Sequence, residues 1–469
     1  MLRFLLLLAT VLPPLTLYYD SYIYPKWIWA IVAVLVTMAL YSLRRLGLIR
    51  GNLLFRQWAY MFTAIALYLC FIRPFENPSV LTLHLCLLIP FVYKECRHSN
   101  SLAQILVGGI LLVSVALAKC RTGWICIAVY LLIALPKKKG HSLLAVSLIT
   151  AMTFGLALFV KNDSSRGRWF ICQNTISLIM KSPIKGYGYH GFRKNYMLQQ
   201  GEYFAGHPDS EYAQLADDIN HPLNEFLLAI VDYGIVGFLI LVLLLTGPLL
   251  MQKSFRPVQY SLMGICVFSL FSYPLLYPLS WVVIGANWKS HVTIKGKRGA
   301  WITTVFCIVA LIFVLRENVY YCRWGRVSHI ASKGHPKAMM EYYEKLYPHF
   351  AHNTLFLYDY SIESFSADKY YQAITLAKEC NKEMVSYDLT LLMGDILQQM
   401  HKHREALQHY QKAAQMCPVR FAPWAGMLEV YRCMGDTDST DSIRRIILTK
   451  DIKIYSKEID EIIKEAKFS

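Results

Sequence analysis

Between residues 161 and 222 the chain gathers the side chains best suited to chemistry. Arg166, Arg168, Lys181, Lys185, Arg193 and Lys194 come first; Glu202, Asp209, Glu211, Asp217 and Asp218 follow. Guanidinium groups grip phosphate oxygens in bidentate pairs. The glycines of GYGYHGF let backbone N–H groups approach an anion closely. The basic half therefore suits a membrane-anchored phosphate, and the bland alternative is a solvated amphipathic helix with surface charges. Arg121, in KCRTGWICIAVYLL, stands at a membrane edge where an arginine either serves a ligand or snorkels to headgroups. His221 opens HPLNEFLLAIVDYGIVGFLILVLLL. Its imidazole can take a proton from a hydroxyl nucleophile or simply cap a helix. Asn224 and Glu225 fit a helix start as well as a site, because proline and an acid both suit the first turn.

These residues need a scaffold, and the composition says which kind. Of 469 residues, 55% are hydrophobic and only 17% charged, against about 25% charged in soluble domains. The net charge of +17 follows the rule that cytoplasmic loops collect Lys and Arg. No basic stripe with interleaved aromatics points to nucleic acid. Apolar runs of the length that crosses a bilayer, about 17–25 residues, lie near 2–18, 26–43, 56–73, 79–93, 101–118, 121–136, 141–160, 223–250, 258–273, 274–287 and 300–316. The first resembles a signal peptide's apolar core but reads as a retained helix. The prolines of SYPLLYP split the ninth run from the tenth. LRRLGLIRGNLLFR, KECR, KKKGH, QKSFRP and NWKSHVTIKGKR place their loops inside. The segment 161–222 and everything after about 317 then fall outside, with the basic KCR turn as the exception.

The fold class expected is all-α. A polytopic domain of about eleven spans, 1–317, carries the external loop 161–222, and a polar helical domain, 318–469, follows. In the latter, DLTLLMGDILQQMHKHREALQHYQKAAQMCP fits a tetratricopeptide repeat. Gly394, Ala406, Tyr410, Ala413 and Pro418 take its small, small, aromatic, small and proline positions. Trp424 and Tyr431 continue the spacing after it, and Ala373 and Ala377 precede it. A generic helical bundle is the alternative. The twelve cysteines show no CxxC pair or Cys/His metal spacing. If Cys322, Cys380, Cys417 and Cys433 are extracytoplasmic, a disulfide among them is open. In the loop, Trp169, Cys172, Ile176 and Ile179 share a helix face suited to the membrane surface.

Four segments together resemble the O-antigen ligase and O-antigen polymerase family: RTGW; SRGRWF with SPIKGYGYHGF; HPLNEFLLAIVDYGIVG; and FSYPLLYP. The resemblance covers about 115–290, and its most specific part is Asn224 followed by Gly234 and Gly237. It implies a bacterial inner-membrane enzyme working at the periplasmic face. A glycan on undecaprenyl pyrophosphate would pass to lipid A core, a growing polysaccharide or a protein hydroxyl, with no cofactor and no metal. Arg121, Arg166, Arg168, Lys185 and Arg193 would hold the pyrophosphate, and His221 would be the base, with Asn224 orienting it or the acceptor. Two positions depart from the family pattern. Leu223 stands where ligases often have histidine directly before the asparagine, so Glu225 or Asp218 become substitute bases. Cys120 stands where a serine commonly precedes the arginine. Gly234 and Gly237 would let the eighth span pack closely, and the repeat region would recruit acceptor or partner proteins. A polysaccharide flippase and a tetratricopeptide assembly scaffold are the competing readings.

Overall fold

The computed structural model describes residues 26–48, 78–96, 120–134, 162–251, 256–288 and 296–468. The expected spans at 2–18, 56–73, 101–118 and 141–160 lie outside the described residues. The described residues form seventeen α-helices, short 3-10 turns and no strand. They group into two compact units. One comprises the described parts of 1–160 with 223–226 and 239–325; the other comprises 161–222, 227–238 and 326–469.

The first unit is apolar. Its helices are α1 (Lys26–Arg45), α2 (Pro78–Cys96), α3 (Arg121–Ala134), the ends of α6 (Glu225–Leu250), α7 (Pro257–Phe271), α8 (Pro278–Asn287) and most of α9 (Gly296–Ala331). Proline opens three of them, α2, α7 and α8, where its missing N–H costs nothing. Arg44 and Arg45 end α1, meeting its negative dipole end. α7 is central, packing on α2, α3 and α8. Buried polar bonds close the seams of α2 with α7 and with α3. Ser261 Oγ donates to the Leu87 carbonyl at 2.7 Å, and the Tyr130 hydroxyl donates to that of Cys86 at 3.1 Å. Gly264 faces Tyr130 and Cys126, where a side chain would not fit.

Two described helices, α6 and α9, are long and apolar enough to cross a membrane. Their surfaces leave Leu239, Ile240, Leu243, Ile302, Phe306, Ile312 and Phe313 more than half exposed, a pattern that suits lipid rather than water. With 36 residues, α9 is about 54 Å long, far beyond the ~30 Å hydrocarbon layer. It therefore runs on past the boundary expected at 317, reaching Ala331. Arg316 and Arg323 flank the ring of Tyr320, each 5.8 Å from its centre, as suits side chains at a membrane–water boundary.

The second unit joins the 161–222 segment to the C-terminal helices. These are α10 (Pro336–Phe350), α11 (Thr354–Ser366), α12 (Tyr370–Asn381), α13 (Tyr387–Gln399), α14 (His403–Met416), α15 (Ala422–Met434), α16 (Thr437–Thr449) and α17 (Lys457–Phe468). Each packs on the next. Asn353, Ser386 and Asp436 cap α11, α13 and α16 through their side-chain oxygens. Tyr410 wedges between Gly394 and Gly426, either of which would collide with its ring if it carried a Cβ. The phenol's single O–H is shared between Asp395 Oδ1 at 2.7 Å and Gln398 Oε1 at 2.6 Å. Ala406 and Ala413 are fully buried beside it. Against α14 lies α5 (Gly191–Gly206), next to α4 (Asn162–Lys181). Gln200 Nε2 donates to the Met416 carbonyl at 2.8 Å, the Val385 amide to Arg193 O at 3.0 Å, and Arg420 pairs with Asp217 at 2.7 Å. Cys322, Cys380, Cys417 and Cys433 are all free thiols.

Candidate functional site

Within the first unit, one end of the bundle collects the heads of α2, α3 and α6 and the tail of α7. Asn224 is the residue before α6. Its Oδ1 accepts the Phe226 amide at 2.9 Å, a helix cap, and its Nδ2 donates to the Leu270 carbonyl at the end of α7 at 3.1 Å. Glu225 is buried, and its Oε1 accepts the Leu275 amide at 2.8 Å in the 3-10 turn Pro274–Leu276. Both residues thus pin the break at SYPLLYP to the start of α6. The Cys120 thiol donates to Ser79 Oγ at 3.5 Å, and Ser79 Oγ to Ser272 Oγ at 3.4 Å. This brings the half-buried Arg121, which opens α3, to the same end as Asn224 and Glu225. Leu223 has φ +56, a left-handed conformation that a bulky L-residue resists.

In the second unit the glycine-rich turn docks on a kink in α6. Gly234 has φ 65 and ψ −163, outside helical geometry, which frees carbonyls of the preceding turn. The amides of Tyr187 and Gly188 donate to Val231 O at 2.8 Å and Asp232 O at 2.7 Å, and the Ile235 amide donates back to Pro183 O at 3.0 Å. A Cβ on Gly234 would collide with the Ile184 carbonyl, and one on Gly186 would come within 2.6 Å of Asp232 O. Gly234 therefore works as the sequence suggested, by close approach, whereas Gly237 meets chiefly Tyr233 of its own helix. The amides of Tyr187 and Gly188 are thus spent on α6, and those of Gly186 and Gly191 on carbonyls of the turn itself. Beside the turn stand the cations Arg193 and Lys194.

Those cations cluster. The buried Asp232 accepts the Phe192 amide on Oδ1 at 2.9 Å. His221, Arg193 and Lys194 all lie within electrostatic reach of its carboxylate. Lys194 pairs with Glu383 at 2.9 Å. His190, at φ 60, precedes α5 and stacks on Tyr189 at 3.8 Å between ring centres. Its Nδ1 is buried with no hydrogen-bond partner, Glu383 Oε2 lying 3.9 Å away. Burial, with Arg193 and Lys194 adding to it and Glu383 opposing, holds the His190 pKa below the ordinary histidine value. Lys185 is exposed in the turn itself.

Arg166 and Arg168 lie two apart on α4, so they point to different sides of the helix. Arg166 forms an ion pair with Glu211 of the 3-10 turn Glu211–Leu215; Arg168 is exposed. The buried stripe of α4 is Phe170, Ile171, Asn174, Thr175 and Leu178, with Phe170 packed on Phe204 and Tyr212. Trp169 and Ile176 remain outside, 56% and 42% exposed, as the amphipathic reading requires. Asp218 sits by the start of α13. Burial, then the Asp388 charge, raise its pKa to about 6 against the pull of the Tyr387 and Asp388 amides.

The site residues divide by unit: Arg121, Asn224 and Glu225 in the first; Arg166, Arg168, Lys185, Arg193 and His221 in the second. Sequence reasoning passed over Asp232, His190 and Glu383. Asp232 had a signal, being the one carboxylate besides Glu225 within the apolar run 223–250. Glu383 had none, since only the packing of Val385 on Arg193 brings it near.

Residues 106–242 match the family model described as O-antigen ligase. The match includes RTGW, the whole 161–222 segment and HPLNEFLLAIVDYGIVG, and stops short of FSYPLLYP. No curated protein matches the chain. Over residues 106–242, less than a third of the chain, the sequence is thus similar to the O-antigen ligase family.

Proposed function

We propose that the protein transfers a glycan from undecaprenyl pyrophosphate to an acceptor hydroxyl at the external face of the bacterial inner membrane. The observation that carries this reading is the cluster on the kink of α6, where His221, Arg193 and Lys194 gather around the buried Asp232. Such a cluster supplies what the reaction needs from a protein. Cations offset charge that grows on the departing pyrophosphate, and an imidazole takes the acceptor's proton. The acceptor oxygen bonds to the anomeric carbon, the bond to the phosphate oxygen breaks, and undecaprenyl pyrophosphate leaves.

In this scheme Arg193, Lys185 and Arg168 hold phosphate, and His221 is the base. Arg121 is assigned to phosphate by the family resemblance alone. Arg166, already paired with Glu211, is better suited to the sugar than to the phosphates. Asn224 and Glu225 shape the head of α6 through Leu270 and Leu275. Asp218 is more useful as a packing group than as a base, because the Tyr387 and Asp388 amides occupy its carboxylate. The C-terminal helices read as a tetratricopeptide-like array that recruits the acceptor or a protein partner.

The test is envelope glycan from a deletion strain, run on gels for lipopolysaccharide and blots for glycoprotein. Unmodified core with accumulated lipid-linked polymer means ligase. Single repeats without a ladder mean polymerase. Loss of protein glycan alone moves the acceptor to protein. Unchanged glycan of every kind contradicts the proposal.

A further inference from the structure

A cavity of about 840 Å³ in the second unit is lined by Arg166, Glu211, Gln214, Asp451, Lys453 and Tyr455 among others. Its size falls within the roughly 300–1,000 Å³ of ligand sites. Two stretches far apart in sequence build it: α4 with the Glu211–Leu215 turn, and the loop between α16 and α17. Lys453 Nζ ties the loop down by donating to the Ala216 carbonyl at 3.2 Å.

The charges in this cavity cancel. Arg166 is paired with Glu211, and Lys453 and Asp451 add one charge of each sign. A phosphate would want surplus cations and a basic peptide surplus carboxylates; neither is present. What the walls offer is a set of groups that both donate and accept, including the Gln214 amide. Tyr455 adds an aromatic ring 78% exposed in a polar loop, where burial of its own apolar surface would favour folding it away. A flat ring beside hydrogen-bonding groups of zero net charge suits a neutral, hydroxyl-rich ligand with an apolar C–H face. That description fits an oligosaccharide.

We propose that this cavity is a glycan subsite, in which Tyr455 stacks on a sugar ring and Arg166, Glu211, Gln214 and Asp451 bind its hydroxyls. The proposal rests on the glycosyl-transfer reading and deepens it. It gives the C-terminal region a direct part in holding the sugar chain. It also accounts for the opposite sides of α4 on which the two arginines lie, Arg168 serving phosphate and Arg166 the sugar.

The probe is the oligosaccharide released by mild acid from the lipid-linked pool of a strain lacking this chain. Its binding to the purified full-length protein in detergent is followed by saturation-transfer NMR. Tyr455→Ala is expected to weaken binding at least tenfold and to raise KM for the lipid-linked donor by a similar factor with kcat little changed. Tyr455→Phe keeps the ring and should keep binding. Tyr371→Ala, which removes another exposed tyrosine (79% exposed) elsewhere in the unit, should change neither. Unaltered binding and KM in both Tyr455→Ala and Gln214→Ala, with transfer still dependent on the chain, overturns the subsite and leaves the transfer reading intact. A deletion strain with unchanged glycan of every kind overturns both.

Discussion

The carboxylate of Glu225 accepts the backbone amide of Leu275 at 2.8 Å, fifty residues along the chain. This bond ties the start of a long apolar helix to the break between two short ones. Losing a buried charged acceptor costs about 1–3 kcal/mol. Glu225→Ala is therefore expected to lower the detergent melting temperature and reduce transfer. Glu225→Gln keeps an oxygen for Leu275 and should retain most transfer. Abolished transfer in a stable Glu225→Gln protein would instead make the carboxylate a base.

Gly234 is the second joint. Its φ of 65 and the adjacent Ile184 carbonyl exclude any side chain. Gly234→Ala should detach the 182–190 turn from α6 at a cost above about 2 kcal/mol. Limited proteolysis of the solubilised protein should then cut within that turn, which stays resistant in the wild type. Equal resistance in both would contradict the docking.

Much of this was legible beforehand, for local reasons. The break at SYPLLYP appears as the turn Pro274–Leu276 because Pro274 and Pro278, four residues apart, both lack the N–H that would continue the helix before them and both suit the first turn of a new one. The close approach at Gly234 follows from the same kind of local rule. The joining of 161–222 to the C-terminal helices was not legible. It depends on pairs such as Gln200 with Met416 and Asp217 with Arg420, which leave no trace in local patterning. Nor did glycine content reveal that the amides of GYGYHGF serve α6; the composition of an anion-binding turn and of a docking turn is the same.

Asp218 makes part of that long-range contact pH-dependent. Its pKa rises from 3.8 in the unfolded chain to about 6, so between those values the folded state holds more protons. The stabilisation is fully present below about pH 4 and is lost as pH rises through 6. Asp218→Asn should stabilise the second unit by about 1–2 kcal/mol at pH 7.5, after discounting for its partial exposure, and by nothing at pH 4. Thermal melts of both proteins at the two pH values check this; a gain independent of pH would contradict it.

Leu223 holds φ +56, which costs an L-residue about 1–2 kcal/mol. Leu223→Gly is expected to raise stability by roughly 0.5–1 kcal/mol once added chain entropy is counted. A fall in the melting temperature would mean that the leucine side chain's packing outweighs the strain.

The most direct test reconstitutes the purified protein with lipid-linked glycan and acceptor in proteoliposomes and measures glycan transferred. The wild type should form product, while His221→Ala and Arg168→Ala, both correctly inserted and folded, should lose at least a hundredfold in rate. Normal transfer by either variant, or movement of donor across the bilayer with no acceptor modified, would contradict the account.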